Sequence, residues 1–443
     1  MSADIRHSIA IDDLAQLRKS FLSNPAHRLA QNAITKTTID DIALDREVVT
    51  QIDPSMSIQL DDWAVTNQKK SGRCWLFAGL NLLRPEVMKT LGVTDFEFSQ
   101  NYLMFFDKIE RVNYYLDAIL ATKDADTDDR TVAFLHDSVM GDGGQWNMFV
   151  SLVKKHGVVP KSAMPETESS SATSKMNASL RAVLHQGAKA LRDATSTSEE
   201  ASIRDEVVAT CYRVLAMHLG TPPESFMWQW TDKDKVFHRD GELTPLQFAA
   251  KYVTDDLSEY VCLVDDPRAT SPRGRTFTVD YLGNIVGERV IYLNVEPGVL
   301  KSAAVTAISS GKPVWFGCDV GKQMQRDLGY WDANLYDYGS VYDTEFTLDK
   351  ASRLDFHETQ MTHAMLLTGV DIHDDVPSRW RVENSWGDEH GTKGFYTMND
   401  SWFDEYVFEI AARKSDLPAE LVAALDAEPI VLPAWDPMGA LAR

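Results

Sequence analysis

The chain has 443 residues, and its 44 Lys and Arg against 66 Asp and Glu give a formal net charge of −22 and a pI near 4.9. Hydrophobic residues make up 44% of the chain and aromatic residues 10%. This composition excludes wholesale disorder. The length allows two or three domains, or one large domain with insertions. The acidic balance argues against nucleic acid as a partner, because phosphate binding depends on clustered Lys and Arg.

Cysteine usage indicates a reducing compartment. The four cysteines lie far apart and form no CxxC pair, so neither a disulfide framework nor a zinc site is expected. The N-terminus lacks a signal pattern, and no apolar run approaches the roughly 18 residues that a membrane span needs. We expect a soluble, cytoplasmic protein without a membrane partner.

The first half of the chain is predicted to be mainly helical. Residues 1–60 are assigned to an N-terminal arm, in which a helix precedes an extended segment, and 61–165 to a helical lobe. Apolar residues recur at helical spacing from Cys74 to Lys89, after the turn-forming pair Ser71-Gly72. Pro85 is expected to kink or end this helix.

Residues 166–260 are predicted to form a helical insertion that serves oligomerisation. Cys211 and His218 fall on one apolar helix face there and are interpreted as core or boundary positions, not ligands. The region 261–432 is predicted to be a β-rich lobe, because short β-branched or aromatic runs alternate with turn residues. These runs are ERVIYLNVE, GKPVWFGCDV, HAMLLTGVDI, RWRVENSW and EYVFEIAA. Residues 433–443 form a C-terminal arm.

The sharpest chemical signal is Cys74 at the predicted helix start. Unpaired backbone N–H groups and the helix dipole favour an anion there, so a thiolate nucleophile is predicted at neutral pH, with Arg73 adding positive charge. Gln68 stands six residues upstream. Its side-chain amide and the Cys74 N–H are candidates for stabilising one developing oxyanion.

The second half of the chain supplies partners for a thiol. His363 opens an apolar strand, and Asn384 follows in the run Val-Glu-Asn-Ser-Trp-Gly. Histidine is suited to exchange protons with a thiol, and a third group such as the Asn384 amide oxygen can hold its tautomer. The indole of Trp386 can shield that hydrogen bond from water.

The order Gln-x5-Cys-Trp, strand-borne His and Asn-Ser-Trp-Gly resembles the papain-like cysteine peptidases. The sequence around these motifs is similar to the bleomycin hydrolase and bacterial aminopeptidase C branch of that family over nearly the whole chain. The stretches that carry this likeness are VTNQKKSGRCWLFAGLN, SQNYLMFF, GDGGQW, GKPVWFGCDVG and LPAWDPMGALA. The resemblance implies an α+β, papain-like fold of two lobes with the site in the cleft between them.

The resemblance also implies roles for particular residues. Cys74 becomes the nucleophile, His363 the general base and acid, Asn384 the orienting residue and Gln68 the oxyanion donor, with no cofactor. Gly143 and Gly144 match a stretch that pairs with substrate backbone, although a tight turn is an equal alternative.

The C-terminal arm contains Pro and Gly and is predicted to be extended. By resemblance it enters the cleft, where its terminal carboxylate binds the substrate's α-amino group and limits cleavage to the N-terminal residue. Arg443 is either retained or removed by self-trimming, which exposes the carboxylate of Ala442. A frayed terminus is the alternative.

The implied activity is hydrolysis of N-terminal residues from peptides through a thioacyl-enzyme, with bleomycin-like amides as an open second substrate class. The implied assembly is a homohexamer. The His357-Glu358 pair begins like a zinc-protease motif, but Met361 replaces the second ligand, so no metal is expected. Two rivals stay open: a catalytically dead scaffold of the same fold, and a nucleic-acid-binding member with a side activity.

Overall fold

The computed structural model describes residues 8–442. The N-terminal arm is helical and comprises α1 (Ile11–Ser23), α2 (Pro25–Ile34), α3 (Ile39–Ala43) and α4 (Arg46–Gln51). The extended segment predicted after the first helix is therefore wrong. The reason is local, because the side chains of Asn24, Thr38 and Asp45 each accept a backbone N–H and start a new helix.

A short strand, β1 (Ile58–Gln59), leads into the helical lobe. This lobe contains α5 (Cys74–Leu91), α6 (Gln100–Ala121), α7 (Arg130–Asp137) and α8 (Trp146–His156). Pro85 lies inside α5 and does not end it, in contrast to one of the two predicted outcomes. Because most of α5 is buried, packing on all sides outweighs the hydrogen bond that proline removes. The helix ends at Gly92, whose φ of 65° makes it a left-handed cap.

The insertion is only partly helical. It contains α9 (Glu168–Ser171), α10 (Ser174–Asp193), α11 (Thr197–Leu219), the hairpin β2 (Phe226–Thr231) and β3 (Phe237–Leu243), and α12 (Pro245–Tyr252). The helical prediction for 166–260 therefore fails at the hairpin, where alternating aromatic residues follow a strand period. Cys211 is buried on α11, as expected for a core position. His218 lies at the boundary, with its Nδ1 2.7 Å from Ser169 Oγ.

The β-rich lobe is built on one mixed sheet. Its strands are β4 (Tyr260–Val264), β5 (Arg275–Val279), β6 (Tyr292–Asn294), β7 (Val314–Cys318), β8 (Met324–Gln325), β9 (Tyr330–Trp331), β10 (His363–His373), β11 (Val376–Glu383), β12 (Phe395–Asn399), β13 (Val407–Arg413) and β14 (Ile430–Leu432). The order is β14-β5-β6-β4-β13-β7-β10-β11-β12-β9-β8, and β1 pairs with β10. All five runs predicted to be β contain a strand.

Five helices are interspersed with these strands, namely α13 (Pro297–Ser309), α14 (Tyr338–Tyr342), α15 (Lys350–Asp355), α16 (Asp400–Tyr406) and α17 (Ala419–Ala424). One buried cluster joins α5, α6 and α8 to one face of the sheet, and a second fills the other face. The helical lobe and the β-rich lobe therefore meet where α5 packs against β10. Within residues 8–442, no helix has both the length and the apolarity to cross a membrane.

Candidate active site

Cys74 is the first residue of α5 and is buried at 3% exposure. Its sulfur lies against the backbone N–H of Ala364, the residue that follows His363 in β10. The start of the helix thus meets the start of the strand. Two residues predicted to act together, almost 290 positions apart in the chain, are brought to one place.

His363 and Asn384 form the predicted hydrogen bond, with 2.9 Å between Nε2 and Oδ1. The same Asn384 oxygen accepts the backbone N–H of Ser385 at 2.8 Å, which identifies that atom as the oxygen of the amide. An oxygen can only accept, so His363 must carry its proton on Nε2. Nδ1 is therefore left as the basic nitrogen.

Trp386, which is predicted to shield this hydrogen bond, lies beside it. Its ring centroid lies 5.0 Å from that of His363, with 37° between the planes. The guanidinium of Arg326 stands over the indole, 4.9 Å from the ring centroid. Aromatic cover limits the access of water to the His363–Asn384 pair.

Gln68 is held at both ends of its amide. Its Nε2 donates to the carbonyl of Ser71 at 2.6 Å, and its Oε1 accepts from the hydroxyl of Ser385 at 2.6 Å. One N–H of Nε2 remains for another acceptor. The segment also pairs with the Asn384 loop through two backbone bonds, Gln68 N–H to Ser385 O at 2.8 Å and Gly387 N–H to Thr66 O at 3.0 Å.

Burial dominates the electrostatics of the pair. It raises the pKa of the Cys74 thiol to about 11 and lowers the pKa of His363 to about 4, the latter against the hydrogen bond to Asn384. Burial therefore favours a neutral thiol and a neutral imidazole. The predicted thiolate, which the start of the helix favours, has to overcome this loss of solvation and stays a prediction.

Arg73 does not supply free positive charge to the sulfur. Its guanidinium is bound bidentately by Glu166, at 3.0 and 2.7 Å, and its Nε donates to Ser71 Oγ at 2.9 Å. The prediction that Arg73 stabilises a thiolate is weakened accordingly, since its charge is already compensated.

Asp142 organises the loop before α5 and was not found from the sequence. Its carboxylate accepts from the Gly72 N–H at 3.1 Å, from Lys108 Nζ at 2.7 Å and from Asn177 Nδ2 at 2.7 Å. Lys108 is the main attractive charge, and the pKa of Asp142 is held well below its usual range despite burial. The only available signal was its place beside the glycine pair.

The two glycines play different parts. A Cβ on Gly144 would stand 2.5 Å from the Trp75 ring, so this position must be small for packing. The carbonyl of Gly143 accepts from Nη2 of Arg111. Arg111, a second residue that sequence reasoning missed, is itself fixed by Asp107 at 2.8 Å.

The C-terminal arm is a 3₁₀ helix over Pro437–Ala442, not an extended segment. The Asp436 side chain accepts the Met438 N–H at 2.9 Å and thereby starts the turn. The arm is buried, and Arg111 Nη1 donates to the carbonyl of Ala442 at 3.1 Å. The guanidinium of Arg111 therefore bridges the carbonyls of Ala442 and Gly143. The prediction for Arg443 concerns a residue outside the described range.

The chain matches known proteins over nearly its full length. A family model described as the peptidase C1-like family matches residues 8–439. Aminopeptidase C of Listeria innocua is 42% identical over 436 residues, covering 98% of this chain and 99% of that protein. Bleomycin hydrolase of Gallus gallus is 41% identical over 452 residues, covering 99% of each.

A solved structure, PepW from Lactobacillus rhamnosis, superposes with a TM-score of 0.95 at 42% identity and covers 99% of this chain and 100% of that one. With the α+β fold of two lobes, these matches define a papain-like cysteine peptidase, which is a hydrolase. The chain belongs to the peptidase C1-like family.

Proposed function

We propose that this peptidase is an aminopeptidase that removes N-terminal residues from peptides, with Cys74 as nucleophile, His363 as base and acid, and Asn384 and Gln68 as supporting groups. The observation that carries the proposal is the His363–Asn384 hydrogen bond of 2.9 Å at the point where Cys74 begins its helix. Relatives named aminopeptidase C and bleomycin hydrolase favour this activity.

The proposed reaction uses the fixed tautomer of His363. Nδ1 takes the proton of Cys74 as the sulfur bonds to the substrate carbonyl carbon, so the neutral resting pair is competent. The oxyanion accepts from the free N–H of Gln68 and from the Cys74 N–H. Collapse breaks the C–N bond while His363 protonates the leaving amine, and water activated by His363 then hydrolyses the thioacyl-enzyme.

The C-terminal arm is proposed to restrict cleavage to the substrate's first residue. Three contacts support a fixed arm: Arg268 binds Asp436 at 3.0 Å through both nitrogens, Tyr292 donates to the Met438 carbonyl at 3.3 Å, and Arg111 binds Ala442. A negative group at its end would pair with a substrate ammonium and block longer chains on that side.

Free and N-acetylated forms of one peptide amide test this restriction. We expect turnover of the free form alone, and a variant lacking residues 433–443 should gain cleavage of the acetylated form. A variant lacking only Arg443 is the matched control and should behave as wild type if self-trimming occurs. Intact masses of wild type and Cys74→Ala report the trimming, which should be absent in Cys74→Ala. Equal turnover of both peptides by wild type would contradict the aminopeptidase assignment.

The dead-scaffold rival makes an opposite prediction. A competent site should show a burst of fluorophore release from an aminoacyl ester at one equivalent per chain, and Cys74→Ala should show none. Absence of a burst in wild type would favour the scaffold. A bleomycin-like amide offered as substrate in the same assay addresses the second substrate class.

We also propose assembly into a homohexamer, held in part by the N-terminal arm. Helix α1 buries no residue of its own, and Ile11, Leu14 and Leu17 are exposed at 84, 52 and 60%. An apolar helix face of this kind indicates a protein partner, for which a second copy is the simplest candidate. Light scattering should show a smaller particle for Leu14→Glu/Leu17→Glu than for the control Lys19→Glu.

The compartment is proposed to be the reducing cytoplasm. All four cysteines are unpaired and buried, so the described fold uses no disulfide. Activity that survives equally with and without a thiol reductant in air would argue against a role for Cys74.

A further inference from the structure

A buried carboxylate ties together the elements that carry the candidate catalytic groups. Glu383 ends β11, immediately before Asn384, and is 3% exposed. Its Oε2 accepts from the indole N–H of Trp63 at 2.8 Å, and its Oε1 accepts from Asn81 Nδ2 at 2.8 Å. Asn81 also donates to Thr66 Oγ1 at 2.9 Å.

These contacts reach three parts of the site. Asn81 lies two turns along α5 from Cys74, and residues seven apart share one face of a helix. Thr66 stands two residues before Gln68 and binds the loop after Asn384 through Gly387. The single carboxylate therefore connects the nucleophile's helix, the oxyanion segment and the strand that leads to Asn384.

We propose that Glu383 is a positioning residue, which in its ionised form holds the helix of Cys74 against the strand of Asn384 and thereby sets the distance between thiol and imidazole. The inference rests on the proposed function of Cys74, His363 and Asn384. It concerns how those groups are held, which the proposed reaction leaves open.

The ionised form matters because both partners of Glu383 are donors. A carboxylate can accept from Trp63 and from Asn81 at once, whereas a glutamine amide turns an N–H towards one of these donors and the hydroxyl oxygen of a protonated carboxyl is a weaker acceptor. One of the two bonds is then lost or weakened. A loosened helix start would misplace the sulfur, and misplacement of about 1 Å can cost roughly 100-fold in rate.

The charges around Glu383 are few. Arg84 on α5 and Arg381 on β11 face it and favour the carboxylate, although each guanidinium is shared with an acid, Asp95 at 2.9 Å and Asp62 at 2.6 Å respectively. Burial is the stronger influence and raises the pKa of Glu383 to about 7. The carboxylate is thus lost as the pH falls through 7, and activity should fall with it. The pKa of His363, near 4, keeps the imidazole neutral across that range.

Glu383→Gln is the first test, with kcat for a peptide substrate measured from pH 5.5 to 8.5. We expect kcat to fall about ten-fold or more at pH 8 with KM changed less than about two-fold, and the wild-type rise near pH 7 to vanish. Glu409→Gln is the matched control. Glu409 is also a fully buried carboxyl of the sheet, on β13, and its hydrogen-bond partner is the thiol of Cys262, which is not part of the candidate site. This control should keep the wild-type profile.

Trp63→Phe provides a test that does not remove the carboxyl. Loss of one donor disfavours the ionised form, so the rise in kcat should move up by about half a unit to one unit in pH. Glu383→Asp should restore part of the rate and the pH dependence. A purely structural role would lower thermal stability in these variants without moving the profile, and that outcome would overturn the proposal.

Alkylation of Cys74 by iodoacetamide, followed by intact mass, separates this inference from the proposed function. If wild type hydrolyses no peptide, the proposed function fails, yet the alkylation rate still reports the thiol's surroundings. A rate in Glu383→Gln equal to wild type at pH 8, together with an unchanged kcat profile, would refute the positioning role while leaving the peptidase intact.

Discussion

Glu409→Gln should change how stability depends on pH. Glu409 is 0% exposed on β13, opposite Gly317 of β7, and burial raises its pKa from 4.5 to about 8, opposed only by a hydrogen bond with Cys262. The native state therefore binds a proton that the unfolded chain releases above pH 4.5. The free energy of unfolding must fall as the pH rises from 4.5 to 8, which is the sign for an acid with a raised pKa.

The magnitude follows from these two values. At about 1.4 kcal/mol per unit, the linkage costs the native state roughly 3 kcal/mol at pH 7 and about 1 kcal/mol at pH 5. Glutamine carries no titrating proton. The free energy of unfolding of the variant, measured relative to wild type, should therefore be about 2 kcal/mol larger at pH 7 than at pH 5. The difference between two pH values cancels any constant packing penalty of the amide.

Urea unfolding at fixed protein concentration, followed by tryptophan fluorescence, measures this difference. Glu428→Gln serves as control, because its side chain is 82% exposed and its stability should shift equally at both pH values. Parallel curves for Glu409→Gln and wild type between pH 5 and 7 would show that the carboxyl is ionised in the native state, and the argument from burial would then be wrong.

Three further predictions concern the site itself. Gln68→Ala removes the proposed oxyanion donor and should lower kcat by about 100-fold or more with little change in KM, as measured with an aminoacyl coumarin amide. Asn384→Ala leaves the Nε2–H of His363 unpaired, so kcat/KM should fall at least about ten-fold, and a rate within two-fold of wild type would contradict the tautomer argument. Gly144→Ala places a methyl group 2.5 Å from the Trp75 ring and should cost about 1–3 kcal/mol of unfolding free energy in urea titrations, whereas an unchanged midpoint would mean that the indole moves aside.

The site could be predicted from sequence where local pattern and chemistry coincide. The helix start at Cys74, the strand opening at His363 and the indole beside Asn384 each carry a local signal, and the structure places all three together. The sheet runs after residue 260 were predictable for the same reason, since alternating and β-branched residues mark buried strands.

What the sequence could not predict depends on long-range burial. The thiol was expected to be ionised, yet its solvation is set by chain segments far from Cys74. Arg111 lies in no recognised motif, and Asp142 stands in GDGGQW without a chemical signal of its own. Their importance arises from partners that only the fold brings near, Ala442 for Arg111 and Lys108 for Asp142. The hairpin at 226–243 was missed because a helical period before it suggested that the helix continued.

The pairing of the Gln68 segment with the loop after Asn384 has a consequence for biosynthesis. The two halves of this small ladder are separated by 317 positions, so the hydroxyl of Ser385 reaches Gln68 only after these intervening residues have been made. A ribosome-bound fragment that ends before residue 363 would carry Cys74 without its proposed base. The candidate site would thus be completed late in synthesis.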